Sequence, residues 1–365
     1  MSSTTRNGDD IGTAAMDASH PLWLKEWTEG AGESTIRKHS NKNNKDGDNV
    51  MLQCYCSWFC PFAQRAWIML EELGVPYHYH EVNPYKVDPK EPGGYTKQSL
   101  SMIEKRALLP DFMDTSPRGL VPAIQDVKGQ RIWESAVVME YLDQVYGDNR
   151  LYNKDAEAAA LIRINVDHCT SRIQKAYYQF LMTPTNIDGQ QTKVKQEFFR
   201  ECRALACAMA PNSIDPQPEE ILKDTQKAMH AETETTGTMQ RVDVGTLSQV
   251  SQEALVGRLK LQPGPFFLGQ QFSAVDIALA PFWQRILWVG QHYRDLSLPK
   301  DAAFDRLNQW WDAVSQRPSV ANTLVGKERL ISSYNQYASN VATSDFATTM
   351  QSSLQNGPAS KKQKV

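Results

Sequence analysis

An α/β domain followed by an all-helical domain is the architecture this sequence predicts, on three observations. Strand-like and helix-like stretches alternate between Val50 and Gly147, no convincing strand follows Leu151, and the later stretches carry the 3.6-residue spacing of helices with one buried face. At 365 residues the chain has the length of about two domains.

Residues 1–48 are rich in Ser, Thr, Asn, Asp, Gly and Lys and are expected to be mostly disordered, with HPLWLKEW, carrying Trp23 and Trp27, able to dock on the body. From about residue 49 to 148 the texture is that of an α/β domain. VMLQCYCSWF is apolar and strand-forming, and PFAQRAWIMLEELG follows with Pro61 at a first helical turn and Gly74 at a stop. VPYHYHEVN reads as a second strand. The stretch from Pro84 to Pro117, with an insert at about 88–117, is too long for an ordinary connection, and residues 99–109 within it are expected to form a helix. GLVPAIQDVKGQRIWES then reads as a strand, a Gly-centred turn and a strand, and SAVVMEYLDQVYG as an amphipathic helix closed by Gly147.

Residues 151–337 form the expected helical domain, with helices over 155–182, 192–209, 246–261, 273–290 and 301–316. A polar insert at about 211–245 is expected to be a loop or a loose helix pair. In FSAVDI, Ser273 and Asp276 have the spacing of a capping box, flanked by Phe272 and Ile277 as a hydrophobic staple. Residues 338–365 are expected to be a disordered tail ending PASKKQKV, whose basic end is a weak nuclear-import pattern and more simply a solvated terminus.

The net charge of −3, the pI near 6.2 and the mean hydropathy of −0.51 give no reason to expect a nucleic-acid partner. No stretch reaches the roughly 18 apolar residues of a spanning helix, so no stable membrane insertion is expected. The opening MSSTTRNGDD lacks a signal-peptide pattern, which makes the cytoplasm the expected compartment. Six cysteines in a chain of this length do not make a disulfide scaffold.

Three of the six lie in CYCSWFCPFAQR. Cys54 and Cys56 alternate on one face of a strand, as His78 and His80 do on the next, so two strands could offer a tetrahedral metal set. An i, i+2 pair in a buried strand is more economically core packing, and no metal is expected. A C-x-x-C exchange pair would need a second thiol where Ala63 stands, although Cys56 could act as a remote resolving thiol. Cys60 precedes Pro61 and therefore sits at the helix N-cap, where unpaired amides and the helix dipole favour a thiolate; thiols so placed have pKa values of about 3.5–7.5. Cys169, Cys202 and Cys207 fall in helical stretches and read as core residues.

CPFAQR at a strand-to-helix turn, LVPAI some sixty residues later, ES opening a helix, and FFLGQQFSAVDIALAP in the helical half together resemble the glutathione transferase family, in its omega-like, cysteine-type branch. The resemblance runs from about Val50 to Tyr337. It implies a thioredoxin-like N-terminal domain plus an all-α C-terminal domain, with glutathione as co-substrate. The Val121–Pro122 bond would be cis, so that the Val121 backbone pairs with the cysteinyl part of the tripeptide. Ser135 would grip the γ-glutamyl carboxylate, Glu134 its ammonium and Lys86 the glycyl carboxylate, while Phe62 would contact the tripeptide beside Cys60. The family's electrophile pocket lies between its domains, which makes His168, Arg172, Tyr177, Tyr178 and Trp288 candidates for it.

The activity so implied is transfer through a mixed disulfide on Cys60: thioltransfer, dehydroascorbate reduction and deglutathionylation, with detoxifying conjugation of electrophiles a minor reaction. The expected partners are glutathione and a small electrophile, disulfide or glutathionyl adduct, in a homodimer. Two alternatives share the turn and the fold: a chloride-intracellular-channel-like protein and a regulator without turnover. Glu134 followed by Ser135 argues against the channel-like group, because together they supply a full γ-glutamyl grip.

Overall fold

The computed structural model describes residues 34–37, 51–91, 94–185, 189–210, 218–236 and 261–355. They fall into two compact units, Met1–Leu142 with Gln316–Asn335 and Asp143–Ser315 with Gln336–Val365. The first unit is built on β1 (Ser34–Arg37), β2 (Leu52–Cys56), α1 (Pro61–Leu73), β3 (Tyr77–Glu81), β4 (Tyr85–Val87), β5 (Tyr95–Ser99), α2 (Met102–Leu108), α3 (Pro110–Thr115), β6 (Ala123–Gln125), β7 (Arg131–Trp133) and the start of α4 (Ser135–Tyr146). Five strands make one mixed sheet in the order β1-β3-β2-β6-β7, with β2 parallel to β3 and the other pairs antiparallel. β1 comes from the leading segment expected to be mostly disordered, and its backbone pairs along β3 from Ser34 with His80 to Arg37 with Tyr77.

Helix α1 forms because Pro61 starts it without a wasted donor and Gly74, at φ 65°, ends it in a left-handed cap that most side chains resist. Its Ala63, Ala66, Trp67 and Leu70 are buried, and the Trp67 ring lies 5.1 Å from that of Tyr79 on β3. The Tyr55 side of the sheet is covered differently. Tyr55, Val82 and Ala123 pack with Phe112 and Met113 of α3, and Leu109 and Val121 close the edge of that cluster.

The long stretch after Pro84 is thus structured throughout its described residues. β4 and β5 form an antiparallel hairpin, and Ser101 caps α2 in a reciprocal box with Glu104 at 3.2 and 2.7 Å. The helix expected near 99–109 is α2. Gly119, at φ 61°, returns the chain toward the sheet, and its carbonyl accepts the Nζ–H of buried Lys105 at 3.1 Å.

In the second unit, α5 (Ala156–His168) continues through a π-helical turn at Cys169–Gln174 into α6 (Lys175–Met182). α7 (Gln190–Ala208), α8 (Pro218–Thr236) and α9 (Ala274–Arg285) follow, the last extended by a π-helical turn at Ile286–Gly290 and α10 (Gln291–Arg294). After α11 (Ala302–Ser315) come α12 (Pro318–Ala321), α13 (Lys327–Ser333), α14 (Asn335–Ala338) and α15 (Asp345–Gln355). Buried Asp276 collects four donors at 2.7–2.8 Å: the Ser273 N–H and hydroxyl, the Phe267 N–H and the Trp310 indole N–H. The box foreseen at Ser273 and Asp276 is therefore a core junction as well as a helix start.

Three expectations change. The polar insert contains a 19-residue helix, α8, whereas the helix expected over 246–261 lies almost wholly outside the described residues. The tail expected to be disordered from 338 to 365 instead forms α15 over Asp345–Gln355, where Phe346 packs edge-on to Tyr178 at 4.6 Å and Tyr337 hydrogen-bonds Ser344 at 3.0 Å, and its residues 356–365 lie outside the described residues. Residues 316–335, expected with the helical half, group with the first unit. Arg317 grips Glu72 of α1 at 2.8 and 2.6 Å, Ser319 reaches the same carboxylate at 2.6 Å, and the Gln64 side-chain amide donates to the Thr323 carbonyl at 2.9 Å.

Of the inserted helices, α3 is therefore part of the core of the first unit. Phe112→Ala should cost about 3–5 kcal/mol in urea unfolding, as expected for emptying a packed aromatic site. A loss below about 0.5 kcal/mol would mark the insert as an appended loop.

Candidate functional site

Strand register brings the sequence-derived residues to one end of the sheet. Cys56 ends β2 opposite Glu81, which ends the parallel β3, so both chains leave the sheet at the same edge. β6 enters at that edge, since Tyr55 pairs with Ala123, and β7 leaves there, since Ala123 pairs with Trp133. The turn to Cys60, the Val121–Pro122 step, and Glu134 with Ser135 are thereby neighbours in the fold. Lys86 follows in the chain on β4, which pairs with β5 in a separate two-stranded sheet.

Cys60 is the N-cap of α1, with extended backbone at φ −88° and ψ 117° and a half-buried side chain. Its N–H donates to the Ser57 carbonyl and its own carbonyl accepts the Gln64 N–H, both at 3.0 Å, so the turn and the first helical hydrogen bond share one residue. Phe62 stands one residue into the helix, with the Arg65 guanidinium 5.4 Å from its ring centre. The Val121–Pro122 peptide bond is cis. Glu134 adopts φ 69°, a left-handed conformation unusual outside glycine, and Ser135 follows as the first residue of α4. The Glu134 carboxylate is paired with Arg118 at 2.8 Å, both side chains being half exposed.

Beneath this edge the turn at 57–60 is held by groups the sequence reading did not single out. The Ser57 hydroxyl donates to the Val82 carbonyl, and the Trp58 N–H points at both Glu81 oxygens, at 3.2 and 3.3 Å. The Tyr79 hydroxyl donates to the same carboxylate at 2.6 Å, and the Arg329 guanidinium lies 4.0 Å from the centre of the Trp58 ring. Burial pushes the Glu81 carboxyl up to about 8 from its ordinary 4.5, against the pull of Tyr79, Trp58 and Arg329. Period-two alternation along YHYHE would have placed Glu81 on the α1 side with Tyr77 and Tyr79. Nothing local could have announced Arg329, which is 271 positions further on (329 − 58).

The cysteines separate clearly. Cys54 pairs with Tyr79 and Cys56 with Glu81, whereas His78 and His80 pair with Gln53 and Tyr55, so thiols and imidazoles lie on opposite faces of the sheet. The metal set considered above therefore cannot assemble, and no His, Cys, Asp and Glu cluster suited to a metal occurs among the described residues. Cys56 is fully buried, and burial next to Cys54 and Glu81 pushes its thiol well up, which removes it as a resolving thiol. Cys169 and Cys202 are fully buried and Cys207 nearly so.

Among the candidates for a second substrate, all in the second unit, three are committed to packing. The His168 Nε2 meets the Glu201 carbonyl at 2.9 Å. The Tyr177 hydroxyl donates to the Arg285 carbonyl at 2.8 Å, at the start of the second π-helical turn, where the shift in hydrogen bonding calls for an outside donor. Tyr178 is enclosed by Tyr337 and Phe346. Arg172 is exposed and Trp288 half-buried, each in a π-helical turn.

Residues 59–145 match the family model of the glutathione S-transferase N-terminal domain, and residues 253–313 that of the glutathione S-transferase C-terminal domain. The chain is 27% identical over 152 residues to glutathione S-transferase omega-1 of Sus scrofa, a match covering 41% of this chain and 54% of that relative. It is 22% identical over 275 residues to glutathione S-transferase DHAR2 of Arabidopsis thaliana, covering 75% and 88%. The crystal structure of glutathione transferase Omega 3C from Trametes versicolor is similar with a TM-score of 0.52 at 27% identity, covering 79% of this chain and 91% of that one. This chain belongs to the glutathione transferase superfamily and is omega-like. Its match spans about half the length of the omega-1 relatives. The insert of residues 88–117 falls inside the segment matched to the transferase N-terminal domain.

In this chain the Glu81 carboxyl gives stability a pH dependence of definite sign. Raised from 4.5 to about 8, it favours the folded state fully below 4.5, and that contribution is lost as pH rises through about 8. Glu81→Gln keeps an acceptor for Trp58 and Tyr79 without the proton equilibrium. Chemical denaturation between pH 5 and 9 should therefore show the stability of the wild type falling relative to that of the variant, and parallel curves would refute the assignment.

Proposed function

We propose that the chain is a glutathione-dependent thiol transferase that works through Cys60. The observation that carries this reading is the position of Cys60. It is the cysteine of the described strand-and-turn segment whose side chain is not fully enclosed, and it caps a helix whose first residue is a proline. The other amides of the first turn and the positive end of the dipole stabilise a thiolate there. Because Ala63 occupies the place of a second thiol, the partner sulfur comes from outside the chain.

In the proposed cycle the Cys60 thiolate attacks the glutathionyl sulfur of a mixed disulfide or glutathionyl adduct. A sulfur–sulfur bond forms to Cys60 as the other thiolate leaves a mixed disulfide, or as the carbon group leaves an adduct as a stabilised carbanion that takes up a proton. A second glutathione thiolate then attacks the Cys60 adduct, giving oxidised glutathione and returning the Cys60 thiolate. Dehydroascorbate reduction uses the same two electrons from two glutathione molecules.

The proposed glutathione site uses the Val121 backbone beside Pro122 for the cysteinyl part, and Phe62 for contact along the helix start. Ser135 takes the γ-glutamyl carboxylate with its hydroxyl and the amides opening α4. Glu134 takes the ammonium, in competition with Arg118, and Lys86 takes the glycyl carboxylate. Arg172 and Trp288 are the proposed contacts for a second substrate, and a homodimer the proposed assembly.

Intact-mass measurement after incubation with oxidised glutathione, followed by peptide mapping, tests the reading directly. One glutathionyl unit on Cys60 is expected, and Cys60→Ala should lower hydroxyethyl-disulfide and dehydroascorbate reduction by a factor on the order of 10³. Unchanged turnover in that variant would overturn the proposal. Retention on immobilised glutathione with neither adduct nor turnover would point instead to a binding module.

A further inference from the structure

The side chain of Lys97 is buried, with 4% of the residue exposed, although lysine almost never is without a compensating partner. It lies on β5, in the hairpin of the inserted stretch, and its ammonium faces three aromatic rings. The distances to the ring centres are 4.2 Å for Phe59, 4.8 Å for Tyr95 and 4.9 Å for Tyr85. All three are within the roughly 6 Å over which a cation is held by a ring face. The rings also touch one another, Phe59 lying 5.5 Å from Tyr85 and 4.9 Å from Tyr95. Two of them belong to the hairpin itself, and the third immediately precedes Cys60.

Phe59 is therefore the point at which the hairpin meets the thiol-bearing turn. The preceding residue is held in a similar way by other elements, since Trp58 carries Arg329 over its ring and directs its N–H to Glu81. Trp58 and Phe59 pack edge-to-face at 5.5 Å. The charged and titratable groups that bear on this turn are Lys97 and the two tyrosine hydroxyls from the hairpin, Glu81 and Tyr79 from β3, Cys56 from β2, and Arg329 from α13.

We infer that Lys97 is a positioning residue for Cys60: by holding Phe59 in the aromatic box of the β4–β5 hairpin, it fixes the turn that keeps the thiol at the start of α1. The hairpin thus belongs to the thiol site. The inference rests on the reading of Cys60 as the reactive thiol and extends it to a segment with no assigned role.

The test measures the thiol independently of glutathione. The rate of Cys60 alkylation by iodoacetamide is followed by peptide mass spectrometry from pH 5 to 9 in the full-length wild type, Lys97→Met, Lys97→Arg and Phe59→Leu, with thermal unfolding of each. Lys97→Met, folded, should lose about threefold or more in rate at pH 6, with its midpoint moved upward as the thiol leaves the helix start. Lys97→Arg, which keeps a cation on the rings, should restore most of the rate. Phe59→Leu should reproduce the Lys97→Met profile, and the double variant should add nothing further.

A folded Lys97→Met with the wild-type alkylation profile overturns the inference and leaves Lys97 a packing residue of the hairpin. If Lys97→Met does not fold, Phe59→Leu carries the test, and a wild-type profile in that variant overturns the inference equally. Should the wild type prove inactive with glutathione while the alkylation differences hold, the proposed function fails and the positioning role stands.

Discussion

The register of β2 between β3 and β6 is the constraint on which the rest of the first unit depends. β2 is paired on both sides, parallel to β3 and antiparallel to β6, and it delivers the chain into the turn that ends at Cys60. A slip of one residue would turn Cys54 and Cys56 away from α1 and present Gln53 and Tyr55 to it, exchanging the buried and polar sets. It would also move the start of β6, and the cis Val121–Pro122 step with it, away from the turn. Packing of Trp67 on Tyr79 from one side and of Phe112 on Tyr55 from the other makes that slip costly on both faces at once. The site inherits its geometry from a sheet locked in register by its own core.

The insert shows how an addition can become necessary to a fold. A connection of this length inside a small α/β domain would, as bare loop, expose backbone and add closure entropy without return. Here it is divided into a hairpin and two short helices, each with its own local cause. Thr96, Ser101 with Glu104, and Pro110 set the turns and starts. Its buried aromatic and apolar residues serve two tasks, Phe112 and Met113 entering the sheet core and Tyr85 and Tyr95 facing Phe59, while Met102, Ile103 and Leu108 of α2 stay exposed. What the sequence shows as an interruption is part of the packing of the domain it interrupts.

How much was legible follows from the range of each interaction. α1 was readable because Pro61 and Gly74 bracket one apolar face, and the N-cap position of Cys60 because Pro61 follows it. Strands β2, β3, β6 and β7, the α2 helix and the capping box at Ser273 and Asp276 were readable for the same reason. The clamps on the turn were not. Glu81 required the register of a neighbouring strand, Lys97 a hairpin buried in a polar-looking stretch, and Arg329 a segment that returns to the first unit from far along the chain. α15 was missed because its sequence is polar overall, and its order comes from contacts with α6 and α14, of Phe346 with Tyr178 and of Ser344 with Tyr337. The two tyrosines of α6 were recognised as prominent, but their hydroxyl and ring partners lie on α9 and in the tail, which spacing along one helix cannot disclose.

The contrast between Cys56 and Cys60 states the chemical logic most plainly. The two thiols are four residues apart, and their surroundings differ. Cys56 is enclosed between Cys54, Tyr79 and Glu81, where desolvation and neighbouring acids oppose a negative sulfur. Cys60 stands past the end of the strand, half-buried at the N-cap of α1. Glu81 sharpens the contrast, because at neutral pH its enclosed carboxyl is mostly protonated and so accepts the Trp58 N–H without placing a full negative charge under the turn. A carboxylate ionised there would work against a thiolate on the same turn. The buried acid thus accepts the hydrogen bonds that shape the loop while placing little charge beneath it, and the two cations nearest the turn, Lys97 and Arg329, are held on the rings of Phe59 and Trp58.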